Sequence, residues 1–487
     1  MAALIYSQLR GISFRGARCS DKYGSSALCT NLHLMQFPTS RWACALHLHS
    51  GWLSILALAL WLAPVLLPNP GNAAGLGWAW AQDQGGDDGG DDGGAAGAGG
   101  GGSAGRGGDG RSDSDSGSQE PTPLMQPGRF VAQELVGLNP SPAALRRAAA
   151  AGLRVVQTQR LPQLGLDVVR LRVPPGLDAK TALALMEERD PGVFDLHHRF
   201  KLQQSGALNT GTASCDRPGC QAMAQLKWPA SSRCGSGQTI GLVDGPVAES
   251  TALSGADWQQ RRTAPPDEPP ASEDHGTAVA SLLVGQPTRG FQGLLPAAKL
   301  RVAAPFYRLP NSQTSADALD IATSLEWLAS QRVSVIGMSL SGPANRILAA
   351  AVRQIQNRGV VVVAAVGNDG RAAEPAHPAA LPDVIGATAL SPDGRLYWRA
   401  GQGQQVDFAL PGVAVDVMLA SGQVERRNGT SYAAPYLVAL VSQTLAERQH
   451  TARQWIDGAA IPVRDLGATG RDEQYGWGLP TISVVCK

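Results

Sequence analysis

Apolar and polar positions divide the chain into four regimes. Residues 52–67, WLSILALALWLAPVLL, form an apolar run, and residues 82–120 are glycine, aspartate and serine with almost no apolar side chain. From 128 to 203 short alternating stretches exchange with helical ones. RFVAQELVGL (129–138) suits a strand. Ser141-Pro142 is an N-cap followed by a first-turn proline, opening an Ala-rich helix that Gly152 stops. LRVVQTQRL (153–161) and LDVVRLRV (166–173) alternate with period two, as half-buried strands do. Asp178 can cap a second helix, AKTALALMEER, which Asp190-Pro191-Gly192 ends, and VFDLHHRFKL (193–202) is a last strand. The order β-α-β-β-α-β predicts a small split βαβ sandwich, which taken alone could be a binding module. His197 and His198 are adjacent, so a strand points them to opposite faces, and they read as surface residues rather than metal ligands.

The fourth regime begins near residue 235. TIGLVD (239–244), KLRVAAPF (299–306), VSVIGMSL (333–340), GVVVVAAVG (359–367) and DVIGATAL (383–390) are near-continuous apolar runs. A parallel sheet covered on both faces requires such runs. SADALDIATSLEWLASQ (315–331) and ANRILAAAVRQIQNRG (344–359) read as helices between them. The expectation is an α/β domain of roughly 250 residues with a doubly wound parallel sheet.

The length of 487 residues fits two or three folded units. A formal charge of +1 gives no electrostatic reason to expect a nucleic-acid partner. No 20–50-residue repeat, collagen period or heptad array is visible, which removes the fibrous and solenoid classes. One apolar run excludes a multi-span channel or transporter. That run is short for a membrane span, which needs about 20 residues, and Pro64 interrupts it. Ala79-Trp80-Ala81 behind it is a small-x-small cleavage pattern, so export with cleavage near Ala81 is expected. An uncleaved anchor is the alternative, and only then would a membrane be a partner. The stretch ahead of the run is long for a signal; a start at Met35 would leave a short one carrying Arg41.

Cys19, Cys29 and Cys44 precede the cleavage pattern, leaving Cys215, Cys220, Cys234 and Cys486. Four cysteines in an exported chain suit disulfides, with three possible pairings left open. Free buried thiols are the plain alternative. Zinc is disfavoured because no histidine lies near the C-x4-C pair Cys215 and Cys220. The Gly/Asp tract cannot bury enough surface to order itself and reads as a flexible linker. Its Asp-Gly pairs do not keep the calcium-binding nonapeptide repeat.

Three segments carry candidate chemistry. Asp244 ends the first apolar strand, and reactive groups of an open α/β sheet gather beyond the carboxyl ends of its strands. His275 lies in EDHGTAVA and Ser431 in NGTSYAAP, each leading into an apolar helix. A helix N-terminus stabilises negative charge that develops beside it. Singly each is weak: an Asp after a strand is usually a turn residue, a His before a helix usually a cap, and Gly-Thr-Ser an ordinary capping sequence. Together they give an acid, a base and a nucleophile in the chain order Asp, His, Ser, which separates one triad architecture from the others.

These segments resemble the subtilisin-like serine proteases, the subtilase family, from about Thr239 to Leu479. Val363–Asp369 looks like the segment carrying the family's oxyanion-hole asparagine, here Asn368. Gly337–Leu340 resembles the strand that pairs with substrate, and Tyr475–Leu479 the C-terminal glycine signature. The resemblance implies catalytic roles for Asp244, His275 and Ser431, with Asn368 and the Ser431 backbone N–H as oxyanion donors. It implies that Ser339, Leu340, Ser341 and Gly342 add the substrate backbone as an extra strand. Ala365, Val366 and Gly367 would be the walls of a modest apolar pocket and Ala376 its floor. Asn368 before Asp369-Gly370 could otherwise be a turn, and Ser339 strand interior. The unit at 128–203 is similar to the family's inhibitory propeptide.

The chain departs from the family at Ser341, usually glycine, and at Tyr432 and Tyr436, usually Met and His. No cofactor is implied. Calcium is not supported: Leu283–Leu295 is too short for the family's calcium loop, and GPVAESTAL after Asp244 lacks its His-Pro-Asp region. Two cysteine bridges are expected to supply the stapling instead. The expected organisation is a signal region (1–81), a linker (82–127), a small α+β ferredoxin-like inhibitory prodomain (128–203), an activation segment with cysteines (204–234) and a subtilisin-like α/β peptidase domain (235–487). The expected function is an exported, self-processing serine endopeptidase. Its partners are protein or peptide substrates and its own propeptide, whose release falls between Lys201 and Cys215. A catalytically silent binding protein with a retained prodomain, a small-ester hydrolase and a structural surface protein are the rivals. The lack of a G-x-S-x-G elbow argues against the commonest esterase architecture.

Overall fold

The computed structural model describes residues 17–20, 26–29, 129–202 and 220–486, except 372, 374 and 375. The apolar run at 52–67, the cleavage pattern, the linker and Cys215 lie outside the described residues. Strands β1 (Ala17–Ser20) and β2 (Ser26–Cys29) pair antiparallel in a unit of their own.

The sandwich runs β3 (Phe130–Leu138), α1 (Pro142–Ala150), β4 (Arg154–Leu161), β5 (Leu166–Arg172), α2 (Ala179–Arg189) and β6 (Phe194–Leu202). Its antiparallel sheet has the order β4-β5-β3-β6, the split βαβ arrangement. The caps read from sequence form: the Ser141 hydroxyl accepts from the Ala144 N–H at 3.1 Å, and Asp178 accepts from Lys180 and Thr181 at 3.0 and 3.1 Å. Ala144, Ala148, Ala182 and Met186 pack one sheet face through Leu135, Val169, Leu171 and Phe194. The other face, including Val136, Val168 and Phe200, packs on the domain that follows.

That domain opens with a short helix, α3 (Cys220–Gln225), and continues through β7 (Thr239–Val243), β8 (Asp257–Arg262), α4 (Asp274–Val284) and β9 (Lys299–Ala304). Then come β10 (Tyr307–Arg308), β11 (Thr314–Asp317), α5 (Ala318–Ser330), β12 (Val335–Met338), β13 (Leu340–Ser341) and α6 (Arg346–Asn357). The last main elements are β14 (Val361–Ala365), β15 (Val384–Leu390), β16 (Phe408–Pro411) and α7 (Thr430–Ala446). Seven strands form one parallel sheet in the order β16-β15-β14-β12-β7-β9-β8. Ile240, Leu242, Val361 and Val363 pack on the side of α4 and α7, whereas Val243, Ile336, Val362 and Ala364 pack on the side of α5 and α6. Burial on both faces explains the unbroken apolar runs. From β7 the chain goes out to the edge strand β8, returns to β9 and then crosses to β12 on the other side of β7, so the sheet has its topological switch point there.

Two readings change, and one that was left open is filled in. Residues 315–317 are strand, because they pair with β6 through Ser315↔Lys201, Ala316↔Phe200 and Asp317↔Arg199 before α5 begins. His197 and His198 are not surface residues: they are 1% and 4% exposed. They do point to opposite faces, but both faces of β6 are covered. His197 Nδ1 lies 3.0 Å from the Glu134 carboxylate, and the Asn345 amide at the start of α6 donates to His198 Nδ1 at 3.1 Å. Of the cysteines, Cys234 and Cys486 form a disulfide, with Cα atoms 4.6 Å apart across 252 residues. Upstream of Cys234, Ala222, Met223, Leu226 and Trp228 join the main core, and the Trp228 indole donates to the Leu294 carbonyl at 3.0 Å.

Candidate active site

Asp244 follows the last residue of β7, Ser339 follows β12, and Asn368 lies three residues beyond β14. All three therefore collect at the carboxyl edge of the sheet, beside the switch point. His275 is the second residue of α4 and Ser431 the second of α7. Helix α4 approaches the Asp244 turn so closely that a Cβ on Gly276 would lie 2.3 Å from the Gly245 carbonyl oxygen. Only glycine fits after His275, which gives the His-Gly pair a steric cause.

Asp244, His275 and Ser431 meet in one line. Asp244 Oδ1 stands 2.6 Å from His275 Nδ1 and accepts from the Gly245 N–H at 2.6 Å. His275 Nε2 stands 3.0 Å from Ser431 Oγ. A carboxylate at Nδ1 holds that nitrogen as N–H, leaving the Nε2 lone pair to accept from the serine hydroxyl. The three residues are 0%, 3% and 0% exposed. The Tyr432 ring packs on the imidazole with centroids 5.5 Å apart, and burial pushes its phenol pKa well up, so it stays neutral.

Asn368 is anchored by its oxygen. Thr430 donates to Asn368 Oδ1 twice, from the backbone N–H and from Oγ1, both at 3.0 Å. The amide is thereby oriented, and Asn368 Nδ2 is buried with no hydrogen-bond partner among the described residues. An unpaired buried donor costs about 1–3 kcal/mol, so this N–H calls for an explanation. The Asn368 carbonyl accepts from Arg399 Nε at 3.2 Å, and the exposed Trp398 stacks near the same guanidinium.

The segment read as a substrate edge is already occupied. β13 pairs antiparallel with the end of β6, Leu340 opposite Leu202 and Ser341 opposite Lys201. On its other side the same stretch of β6 pairs with β11. Ser339 and Ser341 are 1% and 2% exposed. Gly342 exchanges backbone hydrogen bonds with His377, both at 3.0 Å. Of the pocket residues, Ala365 and Val366 are 0% and 1% exposed and lie within the core. Gly367 and Ala376 are in contact, a Cβ on the former falling 3.3 Å from the Cβ of the latter. Among the described residues no group of three or more His, Cys, Asp or Glu is arranged to hold a metal.

Sequence reasoning missed Thr430 and Arg399 as supports of Asn368, and the packing of Tyr432 on His275. Thr430 was in view inside the Gly-Thr-Ser motif, but its partner lies 62 residues away. Nothing local in the sequence points to Arg399.

A family model described as Subtilase family matches residues 235–478. The chain is 29% identical over 209 residues to the minor extracellular protease Epr of Bacillus subtilis (strain 168), covering 42% of this chain and 32% of Epr. It is 26% identical over 279 residues to subtilisin E of the same organism, covering 54% of this chain and 70% of subtilisin E. Among solved structures, that of fervidolysin from Fervidobacterium pennivorans, a keratinolytic enzyme related to subtilisin, aligns with a TM-score of 0.58 at 18% identity. That alignment covers 73% of this chain and 61% of fervidolysin, and is a likeness of fold. The chain thus spans about a third of Epr and about two thirds of the other two.

Proposed function

Because this chain belongs to the subtilase family, we propose that it is a serine endopeptidase made as a self-processing zymogen. Ser431 Oγ attacks the peptide carbonyl while His275 Nε2 takes its proton and later passes it to the leaving amine. Asp244 fixes the imidazole tautomer and stabilises the imidazolium. Asn368 Nδ2 and the Ser431 N–H donate to the tetrahedral oxyanion, whose charge the N-terminus of α7 also favours. The observation that carries this reading is the hydrogen-bonded line Asp244–His275–Ser431 beside the unpartnered Asn368 amide.

Residues 128–203 act as the propeptide, with the end of β6 lying along β11 and β13 as an extended strand beside the active site. Leu202 at the end of that strand lies beside Gly245, the neighbour of Asp244. Ser339–Gly342 then take substrate backbone in its place. Export is supported by the apolar run at 52–67, by a disulfide that suits an oxidising compartment, and by Epr being an extracellular protease.

The test is intact mass after expression in an oxidising compartment, wild type beside Ser431→Ala. A new N-terminus between Lys201 and Cys215 in the wild type alone is the expected result. Two full-length proteins would contradict self-processing.

A further inference from the structure

The end of β6 carries a pattern that its partners read side by side. Alternation in a strand puts Phe200 and Leu202 on one face, Arg199 and Lys201 on the other. Phe200 is 1% exposed, and its ring lies so close to the Gly342 backbone that a Cβ on Gly342 would fall 2.3 Å from it. Leu202 Cδ2 sits 3.3 Å from where a Cβ on Gly245 would be, next to Asp244. On the opposite face each cation meets a carboxylate of the C-terminal domain. Arg199 Nε is 3.5 Å from Asp317 Oδ1, and Lys201 Nζ is 2.6 Å from both carboxylate oxygens of Asp369. Asp369 is the neighbour of Asn368, and Asp317 ends β11, so both carboxylates belong to the walls of the cleft and not to β6.

We propose that Asp317 and Asp369 are specificity-determining residues that select peptides alternating cations with apolar side chains, in the order cation, aromatic, cation, leucine. The inference rests on the reading that β6 lies where substrate backbone runs, and it adds to it a substrate class. Main-chain pairing with β11 and β13 supplies affinity for any extended chain, and the alternate side chains decide among chains. The apolar face demands a flat ring over Gly342 and a branched aliphatic residue beside Asp244. The two carboxylates reward positive charge and penalise negative charge in the two remaining positions.

The probe is an internally quenched peptide with the sequence of residues 199–206, Arg-Phe-Lys-Leu-Gln-Gln-Ser-Gly. Companion peptides carry glutamate in place of the arginine or of the lysine. For processed wild-type enzyme, each glutamate is expected to lower kcat/KM by at least about 2- to 5-fold, the range of one partly exposed ion pair. Asp369→Asn should flatten the preference at the lysine position and Asp369→Lys should invert it, while the ranking at the arginine position follows Asp317 in the same way. A readout free of turnover uses the full chain carrying Ser431→Ala. There, amide exchange at Phe200–Leu202 should quicken with Asp369→Lys and return when Lys201→Asp is added. Equal cleavage of all three peptides would overturn the inference and leave the peptidase reading standing. Cleavage of none, with no fluorophosphonate labelling, would overturn both. Exchange that ignores Asp369→Lys would show that the carboxylate does not hold the cation.

Discussion

Replacing Asn368 by alanine tests the oxyanion assignment through a single donor. The side chain is 4% exposed, its oxygen takes two hydrogen bonds from Thr430, and Nδ2 has no partner among the described residues. Nothing in the resting protein depends on that N–H, so losing it is felt when negative charge develops. The expected loss in kcat is about 10²–10³-fold, or ~2.7–4 kcal/mol, with KM nearly unchanged. Alanine also strands the two Thr430 donors, at ~1–3 kcal/mol of folding stability. Asn368→Asp is therefore the companion variant: it keeps acceptors for Thr430, removes the donor and faces the oxyanion with a like charge, so its kcat should fall at least as far. Thr430→Val removes one of the two orienting bonds, worth about 1 kcal/mol, and should cost roughly 5-fold in kcat. The assay is steady-state hydrolysis of a fluorogenic peptide, corrected by active-site titration and set beside thermal unfolding. A loss below about tenfold for Asn368→Ala, or one carried by KM alone, would refute the reasoning.

Three further outcomes follow from the structure. Gly276→Ala must displace α4 from the Gly245 carbonyl, 2.3 Å from the new Cβ, and should lower stability by at least ~1–3 kcal/mol with loss of activity, read by thermal unfolding and turnover. Cys486→Ser opens the bridge to Cys234 across 252 residues and should cost about 2–5 kcal/mol in denaturant unfolding, an effect that reductant reproduces in the wild type and not in the variant. Burial holds His198 below its ordinary pKa of 6.5, with His197 and Arg129 adding to the shift and Asp195 opposing it. The buried imidazole resists a proton that the released strand accepts, so its contribution is full above about 6.5 and is lost as pH falls below that value. Glu134, the nearest titrating carboxylate on β3, is held below its ordinary 4.5, after opposing burial, by His197, Arg170 and Arg172, and stays charged through this window. The protection of β6 amides in the Ser431→Ala chain, with exchange corrected for the intrinsic rate at each pH, should therefore fall between pH 7 and 5, and His198→Gln should remove most of that dependence.

The parallel strands were legible because a strand buried on both faces cannot alternate, so 239–244, 333–340 and 359–367 announce themselves as apolar runs. Asp244, His275 and Ser431 are weak signals singly and were singled out by their chain order, and Asn368 by the resemblance; the structure brings the first three into one hydrogen-bonded line. What stayed hidden depends on distant chain. Residues 257–262, DWQQRR, have no apolar pattern and are strand through their ladder with β9 at the sheet edge. Residues 315–317 look like the first turn of α5 until β6 lies beside them. His197 and His198 sit in a stretch that reads as half-exposed, and only the packing of one domain on another buries the second face. The partner of Cys234 was undetermined for the same reason, since 252 residues of folding bring Cys486 to it.

The central claim is that Ser431 is a nucleophile activated by His275 and Asp244. Treating the processed protein with a fluorophosphonate and mapping the adduct by peptide mass spectrometry tests it most directly. The account predicts one adduct, on Ser431, formed by the wild type and lost in His275→Ala, with Asp244→Asn slowing its formation. An adduct on another serine, or an unlabelled protein whose cleft has been freed of residues 128–203, would contradict it.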